Sequence, residues 1–236
     1  MMRALDLELE DRNGATRPLK ITATSMINLG YVGRDEAAVR HHIEELAREG
    51  VPPPASIPMK IPMPLSALSL EEQIDVASEK TSGEVEAVFL FQGKKTYVGI
   101  GSDHTDRALE RSDMALSKQV CPNVLGRRVW DFDEIKNVWE KLELRSWVRD
   151  ECDTETLYQH APLSSMLPAQ RLIDCALSAL KDPAAHEGLV MYTGTVGLLH
   201  KQFVYARGFR CELFNPTNDR RLGCAYKVRT LSSIFS

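Results

Sequence analysis

Glu84-Val85-Glu86 places two carboxylates two residues apart at the head of an apolar run, Ala87-Val88-Phe89-Leu90-Phe91. On a strand, residues two apart project from one face, roughly 6–7 Å from each other. Every position beyond Glu86 in the run is apolar, which predicts a strand buried on both sides. Two carboxylates at the mouth of such a strand repel and lose hydration. Either one takes up a proton or a cation sits between them. A hard divalent ion, Mg²⁺ or Mn²⁺, prefers oxygen ligands of this kind. The turn signal Gln92-Gly93-Lys94-Lys95 and a second strand, Lys95–Ile100, predict a hairpin. The hairpin returns Ser102-Asp103-His104-Thr105-Asp106 toward the glutamates, so Asp103 or Asp106 would complete an all-carboxylate site. Taken alone, a Glu-x-Glu pair more often marks a solvated strand face. The polar, glycine-flanked cluster after the hairpin raises the metal reading.

Three further groups carry chemistry. His42 and Glu45 are three apart on a predicted helix and so share a face. A carboxylate-held His is a standard base for activating water, but the plainer reading, a His and a Glu meeting solvent, is preferred on the residues alone. Lys118 lies among Leu116, Val120 and Cys121. If buried, its ammonium needs an anionic partner; snorkelling to the surface is the commoner fate of such a lysine. Thr193-Gly194-Thr195 follows the apolar stretch Gly188–Tyr192. Hydroxyls and N–H groups at a strand end hold carboxylate or carbonyl oxygens, and a plain turn is the alternative.

The elements that must position these groups are legible in outline. Residues 2–10 and 17–22 predict two strands around Asp11-Arg12-Asn13-Gly14. Asp35 caps a helix reaching to Gly50. Val51–Pro64 carries six prolines and predicts an extended surface segment, not a helix or a central strand. Leu65–Lys80 predicts a loop or a short element, and a short helix with a turn follows Arg107. Trp130–Trp139 reads as an amphipathic helix, Leu142–Val148 and Leu157–His160 as strands, and Pro168–Ala179 as a helix with proline in its first turn. His160 and His186 are expected at the surface. A terminal hairpin turns at Asn215–Asp219.

Length and composition bound the reading. The 236 residues are 43% hydrophobic and 26% charged, with a formal net charge of -4. This suits a single domain spanning residues 1–236, with N-terminal strands over 1–25 and a core over 26–236. Mild acidity and the lack of a basic stripe argue against nucleic acid. No apolar run approaches membrane-spanning length. The N-terminus alternates as a strand and does not read as a signal peptide. Five cysteines form no C-x-x-C pair, which argues against a zinc site or a disulfide framework. A reducing cytoplasm is the expected compartment.

The order of the signals carries a resemblance. The series Val32-Gly33-Arg34, His42-x-x-Glu45, Glu84-x-Glu86, Asp103-x-Thr105-x-Arg107, Lys118 and Thr193-Gly194-Thr195 resembles the fumarylacetoacetate hydrolase superfamily over roughly residues 27–230. It looks closest to a branch carrying the strings Gly-Ser-Asp-His-Thr-Asp-Arg and Ser-Lys-Gln-Val-Cys found here. The resemblance implies an α+β, β-rich fold: a mixed β-sheet roll of the superfamily's C-terminal type, with peripheral helices and usually dimeric. It implies a metal enzyme using Mg²⁺ or Mn²⁺, with Ca²⁺ as a further option, on a small 2-oxo acid or 1,3-dicarbonyl compound. C–C bond hydrolysis is the favoured reaction, and decarboxylation, hydration or mere binding of an oxo acid are the alternatives.

By the same resemblance, Glu84, Glu86 and Asp103 are the metal ligands. His42 with Glu45 forms the water-activating dyad and Lys118 is catalytic. Arg34, Arg107, Thr193, Gly194 and Thr195 contact the substrate. Two intervals depart from the pattern. Glu86 to Asp103 is short, and Arg34 to His42 is long, which leaves His41 as a rival base. The proline-rich segment falls where relatives place a lid.

Overall fold

A computed structural model describes residues 2–48, 52–182 and 186–234; within its first helix the side chains of His42 and Leu46 lie outside the described residues. Two mixed sheets dominate. Among the described residues the larger has ten strands. Its centre is the predicted hairpin, Val85–Gln92 with Lys95–Asp103, in the register Glu86↔Gly101 and Val88↔Gly99. Leu189–Tyr192 runs antiparallel along the other edge of Val85–Gln92 and parallel to Ser25–Gly30. The smaller sheet orders Glu155–Pro162, Glu143–Arg149, Gly208–Asn215, Arg220–Thr230 and Gln73–Val76. The fold is thus α+β and strand-rich, with curled mixed sheets, as the resemblance implied.

Strand parity determines how the centre is buried. Val85, Ala87, Phe89 and Phe91 enter the core shared with the smaller sheet, beside Trp139, Phe209 and Leu213. Val88 and Leu90 point the other way, into the core inside the curled sheet, with Leu5, Leu125 and Val190. The strand is therefore apolar on both faces because both faces are covered. Burying one residue such as Phe89, fully enclosed and 5.0 Å from the Trp139 ring, stabilises the fold by about 2–3 kcal/mol. Glu86 has the parity of Val88 and Leu90. It can only face the interior of the roll, at the end where the apolar lining stops.

The N-terminal hairpin forms as Arg3–Glu10 and Thr16–Ala23. Asp35 accepts hydrogen bonds from the Ala37 and Ala38 N–H groups and starts the helix Glu36–Arg48. The terminal hairpin forms as Gly208–Asn215 with Arg220–Thr230. Two expectations need correction. Trp130–Trp139 is not one helix. Arg128–Asp131 is a strand, inserted between Arg3–Glu10 and Lys95–Asp103, and short helical turns begin only at Phe132. Two neighbouring strands offer that segment hydrogen bonds on both edges, and this pairing outweighs the local helical period. The proline-rich segment is extended, but its end, Met59–Met63, joins the large sheet beside Ser25–Gly30. It lies at the sheet's edge, where Pro62 interrupts no interior ladder.

Candidate metal and substrate site

The hairpin register brings Glu84 opposite Asp103, with the Asp103 N–H donating to the Glu84 carbonyl at 3.1 Å. One carboxylate oxygen from each of Glu84, Glu86 and Asp103 lies within 4.8 Å of the others. Asp106, the other candidate, is used differently. Beyond Asp103 the chain bends and Thr105–Asp106 pairs with Thr81–Ser82. The Asp106 carboxylate then accepts from the Ala108 and Leu109 N–H groups and caps the next turn. The local rule that Asp caps turns decides between the two.

Lys118 is interior. It sits on the helix Met114–Gln119, whose start is capped by Asp113 accepting from the Leu116 N–H. Its Nζ lies 2.6 Å from Asp103 Oδ2, 2.9 Å from Glu84 Oε2 and 3.3 Å from Thr105 Oγ1. All three ammonium protons therefore find acceptors. Arg107 holds the other oxygen of Glu84, with Nη2 at 3.0 Å. Its Nε donates to Ser82 Oγ at 2.7 Å, and its Nη1 reaches both oxygens of Glu110. Phe203 covers the guanidinium at 4.2 Å.

The electrostatics follow from this packing. Burial raises the Glu84 carboxyl, but Arg107 and Lys118 outweigh burial and hold it at about 2. Burial pushes Glu86 well above the usual carboxylate range, and the Asp103 charge adds to the push. Burial also raises Asp103, against the help of Lys118. Burial would discharge Lys118, but Asp103, Glu84 and Glu86 more than reverse it and keep the ammonium charged. Both outcomes open to crowded carboxylates thus occur: Glu86 is driven toward its protonated form, and an ammonium sits between Glu84 and Asp103.

The donor set fits a hard divalent cation. All three ligands are carboxylates, the preferred partners of Mg²⁺ and Mn²⁺. Asp103 Oδ1 is buried with no hydrogen-bond partner among the described residues. When ionised, the triad and Glu110 carry four charges against the two of Lys118 and Arg107. A dication closes that balance. Around the triad, His104 Nε2, the Tyr192 hydroxyl and both amide atoms of Asn123 are also buried without a hydrogen bond among the described residues. Asn123 is the cross-strand neighbour of Asp103. Burial, aided by the Arg107 charge, lowers His104 to about 3. It stays neutral, with Nδ1 2.9 Å from the Tyr226 hydroxyl.

The Thr193-Gly194-Thr195 segment runs along Val85–Ala87. Its hydroxyls are spent on that strand: Thr193 Oγ1 donates to the Ala87 carbonyl, and Thr195 Oγ1 to the Val85 carbonyl. Gly194 is the member that reaches the triad, its N–H donating to Glu86 Oε2 at 2.8 Å. Gly194 has φ +85, and a Cβ there would lie 2.6 Å from Val32 Cγ2 and 3.0 Å from the Leu29 carbonyl. Gly194→Ala should therefore destabilise the fold by about 2 kcal/mol or more, a fall in melting temperature of at least about 4 °C. An unchanged melting curve would show that the strap is not held as described.

Other expected residues lie elsewhere. Arg34 pairs with Glu140 at 2.7 Å and donates to the Met166 carbonyl. His41 Nδ1 lies 3.5 Å from Glu45 Oε1, with both side chains more than half exposed. The His42 side chain is outside the described residues, so the His42–Glu45 pairing is too. Two contributors were not anticipated. Gln159 is fully buried and binds the Val85 N–H, Ser146, Thr195 and the Val196 carbonyl, locking the strap to the ligand strand. Tyr31 adopts φ +56, and burial, with the Glu110 charge, raises its hydroxyl above the usual tyrosine range. Its one visible sign in the sequence is the pair of glycines around it, Gly30 and Gly33.

The fold is a mixed, curled-sheet roll of the fumarylacetoacetate hydrolase C-terminal type, and it carries an acidic triad, two of its carboxylates buried, that could hold a metal. The chain belongs to the family described as "Protein of unknown function (DUF2848)", whose model matches residues 29–226. No curated protein matches the sequence. Among solved structures, a hexagonal crystal form of 2-keto-3-deoxyarabinonate dehydratase is similar, with TM-score 0.61 and 16% identity. That match covers 93% of this chain and 86% of the dehydratase. 2-Keto-3-deoxy-D-arabinonate dehydratase complexed with magnesium and 2,5-dioxopentanoate is also similar, with TM-score 0.61 and 20% identity over 94% of this chain and 78% of that one. These likenesses show the fold. No helix among the described residues is long and apolar enough to cross a membrane.

Proposed function

We propose that this protein is a divalent-metal-dependent enzyme acting on a small 2-oxo acid or 1,3-dicarbonyl compound. One observation carries the reading: three carboxylates, two of them buried and Glu84 partly so, converge within 4.8 Å, one with an oxygen unpartnered among the described residues, beside two buried cations. Glu84, Glu86 and Asp103 would hold Mg²⁺ or Mn²⁺, with Ca²⁺ also compatible with an all-oxygen site. When bound, such an ion supplies Lewis acidity toward adjacent keto and carboxylate oxygens. The chain's own groups do the rest. Lys118 presents a charged donor where negative charge builds on a substrate oxygen. Arg107 is fixed by Ser82, Glu84 and Glu110, and would meet a substrate carboxylate with a guanidinium already paired to Glu84 through Nη2. The Gly194 N–H orients Glu86. Arg34 is paired with Glu140, and the Thr193 and Thr195 hydroxyls are spent on the ligand strand, so none of the three is given a substrate contact.

Two reactions suit these groups. In C–C bond hydrolysis, His42 with Glu45 takes a proton from the attacking water. Loss of water from a 2-oxo acid needs no such nucleophile, and the dehydratases of the same fold favour that second reading. His42→Ala separates them. Under the hydrolytic reading, turnover falls by about 10²–10⁴-fold while Mn²⁺ affinity stays unchanged. Undiminished turnover removes the dyad and leaves the lyase. The reading as a whole is tested by calorimetric titration of metal-stripped protein with Mn²⁺, with and without oxalate. Tight Mn²⁺ binding strengthened by oxalate is the expected result, and no binding in either titration would overturn it. A homodimer in the cytoplasm belongs to the same proposal, and light scattering in solution checks the dimer.

A further inference from the structure

Glu86 and Asp103 face the interior of the roll, and three fully buried polar side chains share that face with them. Asn123 has the parity of Leu125, which lines the interior, while Val124 between them points the other way. Tyr192 has the parity of Val190, and Asn28 that of Met26, both interior. Strand register sets these groups beside the ligands. Asn123 is the cross-strand partner of Asp103, and partners on one face hold their Cβ atoms about 4.5–5.5 Å apart. A Cβ on Gly101 would lie 3.0 Å from Tyr192 Cε1 and 3.2 Å from the Tyr192 hydroxyl oxygen. The phenol thus fills the side-chain place of Gly101, the residue opposite Glu86 and two before Asp103. Asn28 pairs with Tyr192 on the next strand.

None of the three makes a side-chain hydrogen bond among the described residues. Both amide atoms of Asn123, both of Asn28 and the Tyr192 hydroxyl are without one, as is Asp103 Oδ1. Burying an amide or a phenol without a partner is costly. Asn123 offers a donor and Asp103 Oδ1 an acceptor on adjacent strands, yet the two do not bond, so a small polar group between them would satisfy both. The chemistry names that group. A side-chain amide and a phenol are neutral, and each both donates and accepts. They complement water, not a carboxylate or a bare cation. Mg²⁺ and Mn²⁺ favour six oxygen ligands in octahedral geometry, and Mg²⁺ keeps several of its waters. Three carboxylates leave places for such waters.

We propose that Asn123 and Tyr192 are positioning residues of the metal site: from inside the roll they hold the water that completes the coordination of a divalent ion on Glu84, Glu86 and Asp103. They act on the ion through that water, and neither is a ligand itself. The inference rests on the metal-site reading above and deepens it by adding two residues with no charge and no place in the acidic triad.

Tyr192→Phe and Asn123→Leu test it, each removing the polar group while keeping the shape. Three readings are taken against the wild type. The melting temperature of the metal-free protein should stay the same or rise, because each variant removes a buried group that has no protein partner. The Mn²⁺ affinity, by calorimetry, should fall about 10–100-fold. With Mn²⁺ loaded in D₂O, the deuterium modulation that coordinated water gives in the electron spin-echo spectrum should weaken. Tyr192→Phe removes a single heavy atom, so it decides the matter if Asn123→Leu disturbs the packing. Mn²⁺ affinity within twofold of the wild type, or an undiminished water signal, would overturn the inference and leave the metal site standing. A lower metal-free melting temperature in Tyr192→Phe would also overturn it, by showing that the hydroxyl serves the fold. Failure of the wild-type protein to bind Mn²⁺ would overturn the metal-site reading and this one with it.

Discussion

Replacing Lys118 with Met should lower the melting temperature of the metal-free protein by roughly 6–20 °C, and added Mn²⁺ should recover most of the loss. The ammonium lies 2.6 Å from Asp103 and 2.9 Å from Glu84. Methionine matches its length and carries no charge, so the substitution leaves the buried Asp103 carboxylate unpaired and facing the partly buried Glu84. Removing one partner from a buried ion pair costs about 3–5 kcal/mol. In a domain of this size each kcal/mol moves the midpoint by about 2–4 °C. A divalent ion held by Glu84, Glu86 and Asp103 replaces the missing charge. At a hundredfold excess over its dissociation constant it contributes about 2.7 kcal/mol. The wild-type protein should respond less to the same Mn²⁺, because its ammonium already neutralises part of the site. Thermal melts of both proteins across a Mn²⁺ series decide the matter. A destabilised variant that ignores Mn²⁺ would mean the triad is only a structural ion-pair cluster.

Asp103→Asn should weaken Mn²⁺ binding by more than about 100-fold while the protein stays folded. Loss of a residue that merely supports a metal ligand costs 10–100-fold, and this change removes one of three anionic ligands. Asn is isosteric, so the packing of this fully buried position survives. The amide still offers an oxygen toward Lys118 Nζ, which limits the damage to the fold. Calorimetry reads the affinity, and circular dichroism checks that the fold persists. Near-normal Mn²⁺ affinity in the variant would place the metal elsewhere and dismantle the proposed ligand set. A large loss of stability with intact metal binding would instead identify Asp103 as a counter-ion for Lys118.

Much of the local framework is legible in the sequence. Alternation with a turn between gave the N-terminal hairpin. An Asp ahead of a helical period gave the helix beginning at Glu36. An apolar run interrupted by Gln92-Gly93 gave the central hairpin. Period two put Glu84 and Glu86 on one face, because side-chain parity along a strand is a local property. The clash between their charges and the apolar residues after them was enough to require a proton or a cation.

What lay across from that face was decided by tertiary structure. Asp103 and Asp106 are chemically equivalent in the sequence. The bend at His104 sends one to the glutamates and the other to cap a turn. Lys118 reads as a surface lysine or a buried one, and only helix packing put its ammonium between two carboxylates. Trp130 fits a helical pattern, yet strands on both sides claimed it for the sheet. Tyr31 had no chemical signal apart from the glycines near it, and the surface pocket it lines joins residues about 80 positions apart. Period and turn chemistry are written in neighbouring residues, so sequence alone carries them. Convergence of charges depends on which distant segments pack together, and that follows from filling the whole interior at once.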